Sequence, residues 1–226
     1  MSSPHPLDNP IWSAISSRHA SFALGSGVVK RYPPDVAPFL AASSDAGAEG
    51  STFATLMTPG DRVYALGKGF VTPPGWELKR LGSGLQMVCA QPMPGLDGPS
   101  IRQLTEIDRD DVLALTALVY PHYFRPRTME LGRYFGIHHG DQLVAMAGER
   151  MAMPGFVEVS AVCTHPDCTG RGYSRRLLIQ LSNDILSRGD SPFLHVAPDN
   201  ERAKQLYLRN GYVLRCELPF WGVRRT

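Results

Sequence analysis

The sequence predicts an α+β fold in which helices flank a mixed central sheet. Three observations carry that expectation. Apolar periodicity changes repeatedly between the two-residue repeat of strands and the 3.6-residue repeat of helices. Most elements end on glycine or a turn pair, as at Gly140-Asp141, Gly189 and Gly211. A strand at 156–164, a helix at 171–188 and a buried strand at 193–196 follow one another, which requires at least one parallel crossover.

In the N-terminal half, 28–31, 63–66 and 85–90 read as strands, 50–57 as a helix and the small-residue run 43–50 as a loop. Residues 91–99 are dense in Pro and Gly, which interrupt helices and central strands, so a boundary is expected there. That divides the chain into a smaller α/β N-terminal domain, 1–98, and a second domain, 99–226. In the second, 101–104 is a short strand. Thr105 to Asp108 then supply capping chemistry for a helix with Val112, Leu115 and Val119 at helical spacing. A short helix is expected over 128–135, with strands at 134–138 and 143–149. The helix at 171–188 places Tyr173, Leu177, Leu178, Leu181 and Ile185 on one face. A further helix spans 200–210, and strands at 212–217 and 220–223 complete the fold.

Bulk chemistry excludes several classes. With 23 basic and 21 acidic residues the net charge is only +2, so no strong field points to nucleic acid. No apolar run approaches the roughly 18 residues needed to cross a bilayer. The first ten residues are polar and Pro-rich, without the basic and then apolar pattern of a secretory signal. Cysteines 89, 163, 168 and 216 form no C-x-x-C pair, which suits free thiols in a reducing, cytoplasmic setting.

The chemistry concentrates after residue 156. In a regular strand, Glu158, Ser160, Val162 and Thr164 share one face, and Val157, Val159, Ala161 and Cys163 the other. The strand runs through His165-Pro166-Asp167-Cys168 into Thr169-Gly170-Arg171-Gly172-Tyr173-Ser174 and a long helix. Strand, glycine loop and helix start make an anion site, because backbone N–H groups converge there and the helix dipole favours negative charge. No Gly-Lys-Ser/Thr follows, so it is not a P-loop. Arg175 stands where a dinucleotide fingerprint needs its third glycine. Cys163, His165 and Cys168 lack the spacing of a metal site, so no metal is expected and His165-Pro166 is read as shaping the loop.

The run from Glu158 to Ser174 resembles the coenzyme motif of the GNAT superfamily of N-acetyltransferases, Q/R-x-x-G-x-G/A. Asn200-Glu201-Arg202-Ala203-Lys204-Gln205-Leu206-Tyr207, continuing to Gly211-Tyr212, resembles the second family motif, N-x-x-A-x-x-L-Y-x-x-x-G-F/Y. The resemblance covers about residues 100–226. It implies a GNAT-type sheet and acetyl-CoA as acyl donor. In a group of GNAT proteins a degenerate acetyltransferase-like half precedes the working one, and the length of residues 1–98 fits that arrangement.

Matched by position, Gly170, Arg171, Gly172 and Tyr173 hold the pyrophosphate, Val162, Cys163 and Thr164 present backbone groups to the acyl carbonyl and pantetheine arm, and Asn200 contacts the coenzyme. Thr169 replaces the usual Gln or Arg, which predicts weakened coenzyme affinity, and Ser174 replaces the usual Gly or Ala, a small residue that adds a hydroxyl near the phosphate. The resemblance also implies that Tyr207 protonates the departing thiolate and that Glu158 is the general base. An ammonium must lose its proton before it attacks, and Glu158 lies about 13 Å along the strand from Val162, a span for a base acting through water. Tyr120, Tyr123, Phe124 and Trp221 are the candidate acceptor-binding residues, in company with His122. The expected acceptor is a small-molecule amine, the expected reaction direct transfer, and the expected state monomer or homodimer. Two alternatives stay open: a GNAT-fold module that binds acyl-CoA without transfer, and a protein or peptide N-acetyltransferase.

Overall fold

The computed structural model describes residues 5–43, 50–68, 70–119, 121 and 123–225. In chain order its elements are α1 (Pro10–Ile15), β1 (Val29–Arg31), β2 (Leu40–Ala42), α2 (Gly50–Leu56), β3 (Arg62–Leu66), β4 (Trp76–Val88) and β5 (Arg102–Leu104). There follow α3 (Arg109–Val119), β6 (Tyr134–His139), β7 (Gln142–Met153), β8 (Phe156–Thr164), α4 (Tyr173–Ser187), β9 (Ser191–Val196), α5 (Glu201–Arg209) and β10 (Val213–Arg225). Eight strands form one sheet in the order β3-β10-β4-β9-β8-β7-β6-β5, and β1 pairs with β2 apart from it. The β8–β9 pair is parallel and its neighbours are antiparallel, so the sheet is mixed.

Both faces are covered. Phe193 and Leu194 are consecutive in β9 and therefore point to opposite sides. Phe193 packs with Ile11 and Ile15 of α1, whereas Leu194 packs with Leu177, Leu178 and Leu181 of α4. The α1 face also carries α3, whose Val112 and Leu115 meet Tyr134 and Met146. Helix α4 buries the expected apolar stripe and ends where Gly189 takes φ +83°, a left-handed value that glycine adopts without strain. The turn before α3 is fastened where Asp108 Oδ2 accepts the Thr105 N–H at 2.8 Å.

Strands on both sides of the expected boundary at residue 98 share the sheet. β4 lies between β9 and β10, and β3 pairs with β10. Leu7, Ile11 and Ile15 are completely buried in one cluster with Met151, Met153 and Phe193. Residues 62–88 thus extend the sheet of the second half rather than forming a separate layer. The helix expected over 128–135 is one 3-10 turn, Thr128–Leu131. Gly132 then passes so close to β7 that a Cβ there would lie 2.5 Å from the Glu149 Cβ, and the chain enters β6. The two expected terminal strands are one continuous strand, β10, with Pro219 just outside the stretch paired to β3. Residues 44–49 of the expected loop lie outside the described residues.

Candidate active site

β8 and β9 pair from Phe156–Ser191 to Glu158–Phe193 and then part. The cause is a bulge in β8. Its register against β7 moves from Gly148–Ser160 to Met146–Cys163, three residues answering two, and Ala161 adopts φ +50°. The bulge also reverses which way later side chains point. Val157 and Val159 pack toward α4, but Ala161 and Cys163 pack toward α3, and Val162 joins the α4 side. The regular alternation expected for this strand is corrected on that point: Glu158 and Val162 do not share a face.

Two cavities open where the strands part. The first, of about 1060 Å³, runs from Leu118 and Val119 along the glycine loop to α5. The second, of about 420 Å³, lies deeper, between β8, β9 and the N-terminal half. Val119, Val162, Cys163, Asn200, Ala203 and Tyr207 border both, so the two are arms of one cleft.

The first arm gathers the motif residues. Val162, Cys163 and Thr164 of β8, Thr169, Gly170, Arg171, Gly172, Tyr173 and Ser174 of the loop, and Asn200 and Tyr207 of α5's N-terminus and last turn all line it. Gly170 and Gly172 take φ +80° and +77°, values that favour glycine. Gly172 is the N-cap of α4 and no side chain caps the helix, so the N–H groups of its first turn are left for a ligand. Thr169 directs its hydroxyl to Pro166 O at 3.1 Å and so braces the loop. The Ser174 and Thr164 hydroxyls meet at 2.7 Å on the cavity wall. His165 Nδ1 accepts the Asp167 N–H at 3.3 Å, which shapes the turn before the loop. Asn200 caps α5 by accepting the Ala203 N–H at 3.1 Å. Sequence reasoning missed Arg202 and Arg209, which line this arm beside Arg171 and Arg175. Their signal was a seven-residue spacing, which stacks two side chains on one face of α5. Four guanidinium groups beside an uncapped helix start fit a ligand carrying several phosphates.

The second arm holds Glu158. Its side chain is buried and fully engaged. Arg150 donates to it from Nε and Nη2, both at 2.8 Å, and His195 donates from Nδ1 at 2.8 Å. Burial by itself raises a carboxyl group's pKa, but the Arg150 guanidinium and the His195 hydrogen bond outweigh it and hold Glu158 down at about 2. Such a carboxylate is a weak proton acceptor. Both of its oxygens are engaged, so the geometry suits an anchor for Arg150 and His195. Gln86, wholly buried, donates from Nε2 to Leu7 O at 2.9 Å and lies 3.0 Å from His195 Nε2, while its Oε1 accepts from Arg215. With the amide set that way, His195 Nε2 accepts from Gln86 while Nδ1 donates to Glu158. Arg150 and His195 were not anticipated; a histidine inside a buried strand was the available sign.

The remaining wall is aromatic. Tyr123 lines this arm and meets Tyr64 and Phe220 at ring-centroid distances of 5.2 and 6.1 Å. Trp221 does not line it. Its indole donates to Gly67 O at 3.0 Å and packs with Val29 and Val63, while Phe220, one residue earlier and on the other face, lines the cavity. Phe124 likewise lies outside both arms, edge-on to Tyr134 under α3. Tyr120 and His122 lie outside the described residues. From the N-terminal half, Ile11, Phe39 and Leu66 close the arm. Cys163 borders both arms, but burial pushes its thiol up to about 12, which leaves no thiolate for attack.

Comparison with known proteins agrees with this geometry. The family model for FR47-like proteins matches residues 134–220. A GNAT-family structure from Novosphingobium aromaticivorans DSM 12444 is 32% identical with a TM-score of 0.90, covering 99% of this chain and 100% of its own. A GCN5-related N-acetyltransferase from Kribbella flavida has the same fold at 14% identity and a TM-score of 0.59, over 94% of this chain and 91% of that one. Another from Sphaerobacter thermophilus is 18% identical with a TM-score of 0.52, over 64% of this chain, which spans 52% of that one. No curated protein sequence matches the chain. No helix among the described residues is long and apolar enough to cross a membrane.

Proposed function

This chain belongs to the GNAT family of acetyltransferases, and we propose that it moves an acetyl group from acetyl-CoA to the primary amine of a small molecule by direct transfer. The observation that carries this reading is the convergence of both sequence motifs on one cleft, whose second arm meets the first at Val162 and Tyr207. The glycine loop, the start of α4 and Arg171, Arg175, Arg202 and Arg209 would hold the phosphates of the donor. Its thioester would then lie where β8 and β9 part.

In the proposed reaction the amine nitrogen attacks the thioester carbonyl, an N–C bond forms and the C–S bond breaks. Backbone N–H groups near Val162 stabilise the oxyanion. Tyr207 gives its proton to the departing thiolate and regains one, through water, from the attacking nitrogen, which sheds a proton as the amide forms. Glu158 is committed to Arg150 and His195, so the amine gives up its own proton to solvent on entering. A cavity with apolar walls favours that, because it disfavours an ammonium lacking a counter-ion. Cys163, held as a thiol, takes no acyl group. A cavity of about 420 Å³ matches a small acceptor in size.

Titration calorimetry with acetyl-CoA tests the donor half. Saturable one-to-one binding, weakened by R171A and R202A, is expected, and absence of binding would sink the proposal. A bound donor with no transfer to any amine would leave the binding-module reading standing.

A further inference from the structure

We infer that the acceptor is a compact amine with an aromatic or apolar body and no second charge, selected by Phe39, Tyr123 and Phe220. This rests on the acetyl-transfer reading above and concerns the far end of the second arm. The two arms share Val162 and Tyr207, so a reacting amine sits at that junction. The body of the acceptor then extends toward the residues that border only the second arm, among them Ile11, Phe39, Leu66 and Phe220.

That far end has two aromatic surfaces. Phe220 is stacked on Tyr64, with centroids 5.3 Å apart and planes 18° from parallel, and Tyr123 leans on both rings. Rings fixed in this way offer a flat apolar surface at little cost in side-chain entropy. On another side Phe39 is buried beneath the Arg150 guanidinium, which lies 5.0 Å from its ring centre.

Charge supplies the second half of the inference. Among the described residues, the charged side chains on this wall are Arg150 and Glu158, with His195 beside them, and the two hold each other through two hydrogen bonds of 2.8 Å. A carboxylate on the acceptor would have to draw Arg150 from Glu158. A second ammonium would have to draw Glu158 from Arg150 and His195. Either exchange leaves a buried charge without its partner, a heavy penalty. Ile11 and Leu66, from the N-terminal half, add apolar wall to this arm. The region read from sequence as a separate domain therefore supplies part of acceptor selection.

The test is a four-amine panel with the full chain, followed by release of the CoA thiol: 2-phenylethylamine, hexylamine, phenylalanine and putrescine. Acetyl-CoA binding is measured in parallel by calorimetry. Expected is kcat/KM for 2-phenylethylamine at least about tenfold above that for phenylalanine and putrescine, with hexylamine between, since a buried charge without a partner discriminates more strongly than a lost methylene. In F220A the KM for 2-phenylethylamine should rise about tenfold while acetyl-CoA affinity and melting temperature stay near wild type. If F220A melts early, F220L replaces it, keeping apolar bulk but losing the ring, with the same expected direction. Equal or better use of phenylalanine or putrescine overturns the inference and leaves acetyl transfer intact. Bound acetyl-CoA with none of the four acetylated also overturns it. Failure to bind acetyl-CoA overturns the underlying reading as well.

Discussion

Replacing Glu158 with Gln separates an anchoring carboxylate from a proton-accepting one. In the wild type both oxygens are used: Oε2 accepts from Arg150 Nε, and Oε1 accepts from Arg150 Nη2 and from His195 Nδ1, each at 2.8 Å. The Glu158 side chain is 1% exposed and that of Arg150 12%, so water replaces little of what either would lose. Gln removes the charge and turns an NH₂ group toward an N–H donor. Breaking one side of a buried pair costs about 3–5 kcal/mol. The depressed pKa gives a similar figure, since a fall from 4.5 to about 2 corresponds to about 3 kcal/mol. For a chain of this length E158Q should lower the melting temperature by about 6–20 °C at pH 7. The sign with pH follows from the lowered folded-state pKa. The contribution of Glu158 is complete above about pH 4.5 and is lost as pH falls toward 2, so wild type and variant should converge in that window. In R150Q/E158Q both charges are gone, and most of the lost stability should return. Differential scanning calorimetry across pH, with activity measured alongside, decides the matter. If E158Q melts within about 2 °C of wild type while kcat falls a hundredfold or more, Glu158 is the base and the anchoring account is wrong.

Four further outcomes are expected. Y207F should lower kcat by about 10²–10⁴ while leaving acetyl-CoA affinity unchanged by calorimetry, the signature of a lost acid rather than a lost contact. The pH profile of kcat/KM should rise with a midpoint that follows the acceptor's own amine pKa; a midpoint common to two amines of different pKa would point to a base on the protein. G172A forces a non-glycine residue to φ +77° at the start of α4, a strain of about 1–2 kcal/mol, and should weaken acetyl-CoA binding roughly tenfold. In G148A the new Cβ would lie 2.1 Å from Tyr134 Cδ1, in the body of a buried ring, so thermal unfolding should show a loss of at least about 1–3 kcal/mol.

Where local pattern governs, the sequence was readable. The stripe on α4 and the strand 156–164 both follow from side-chain spacing, and the structure has both of them. The first arm was legible because most of it comes from the end of β8, the loop after it and α5, which carry the two motifs. The second arm was not, because it is assembled from segments distant in sequence. Phe39 and Phe220 reach it from opposite ends of the chain, and neither lies in a motif. Choosing Trp221 over Phe220 was a one-residue error, which on a strand means the wrong face. The role of Glu158 turned on Arg150 in the adjacent strand and on the bulge at Ala161, whose register no two-residue alternation reveals. The boundary at residue 98 was read from Pro and Gly density, which marks a crossing loop as readily as a domain linker; here β4 before it and β9 after it pair side by side.

The central claim is that this cleft joins an acetyl donor to an amine. The most direct measurement incubates the full chain with acetyl-CoA and 2-phenylethylamine and quantifies N-acetyl product by mass spectrometry against free CoA thiol. The account predicts amide and thiol appearing one for one, with both dependent on the amine. Thiol release that is indifferent to the amine, with no amide formed, would contradict it.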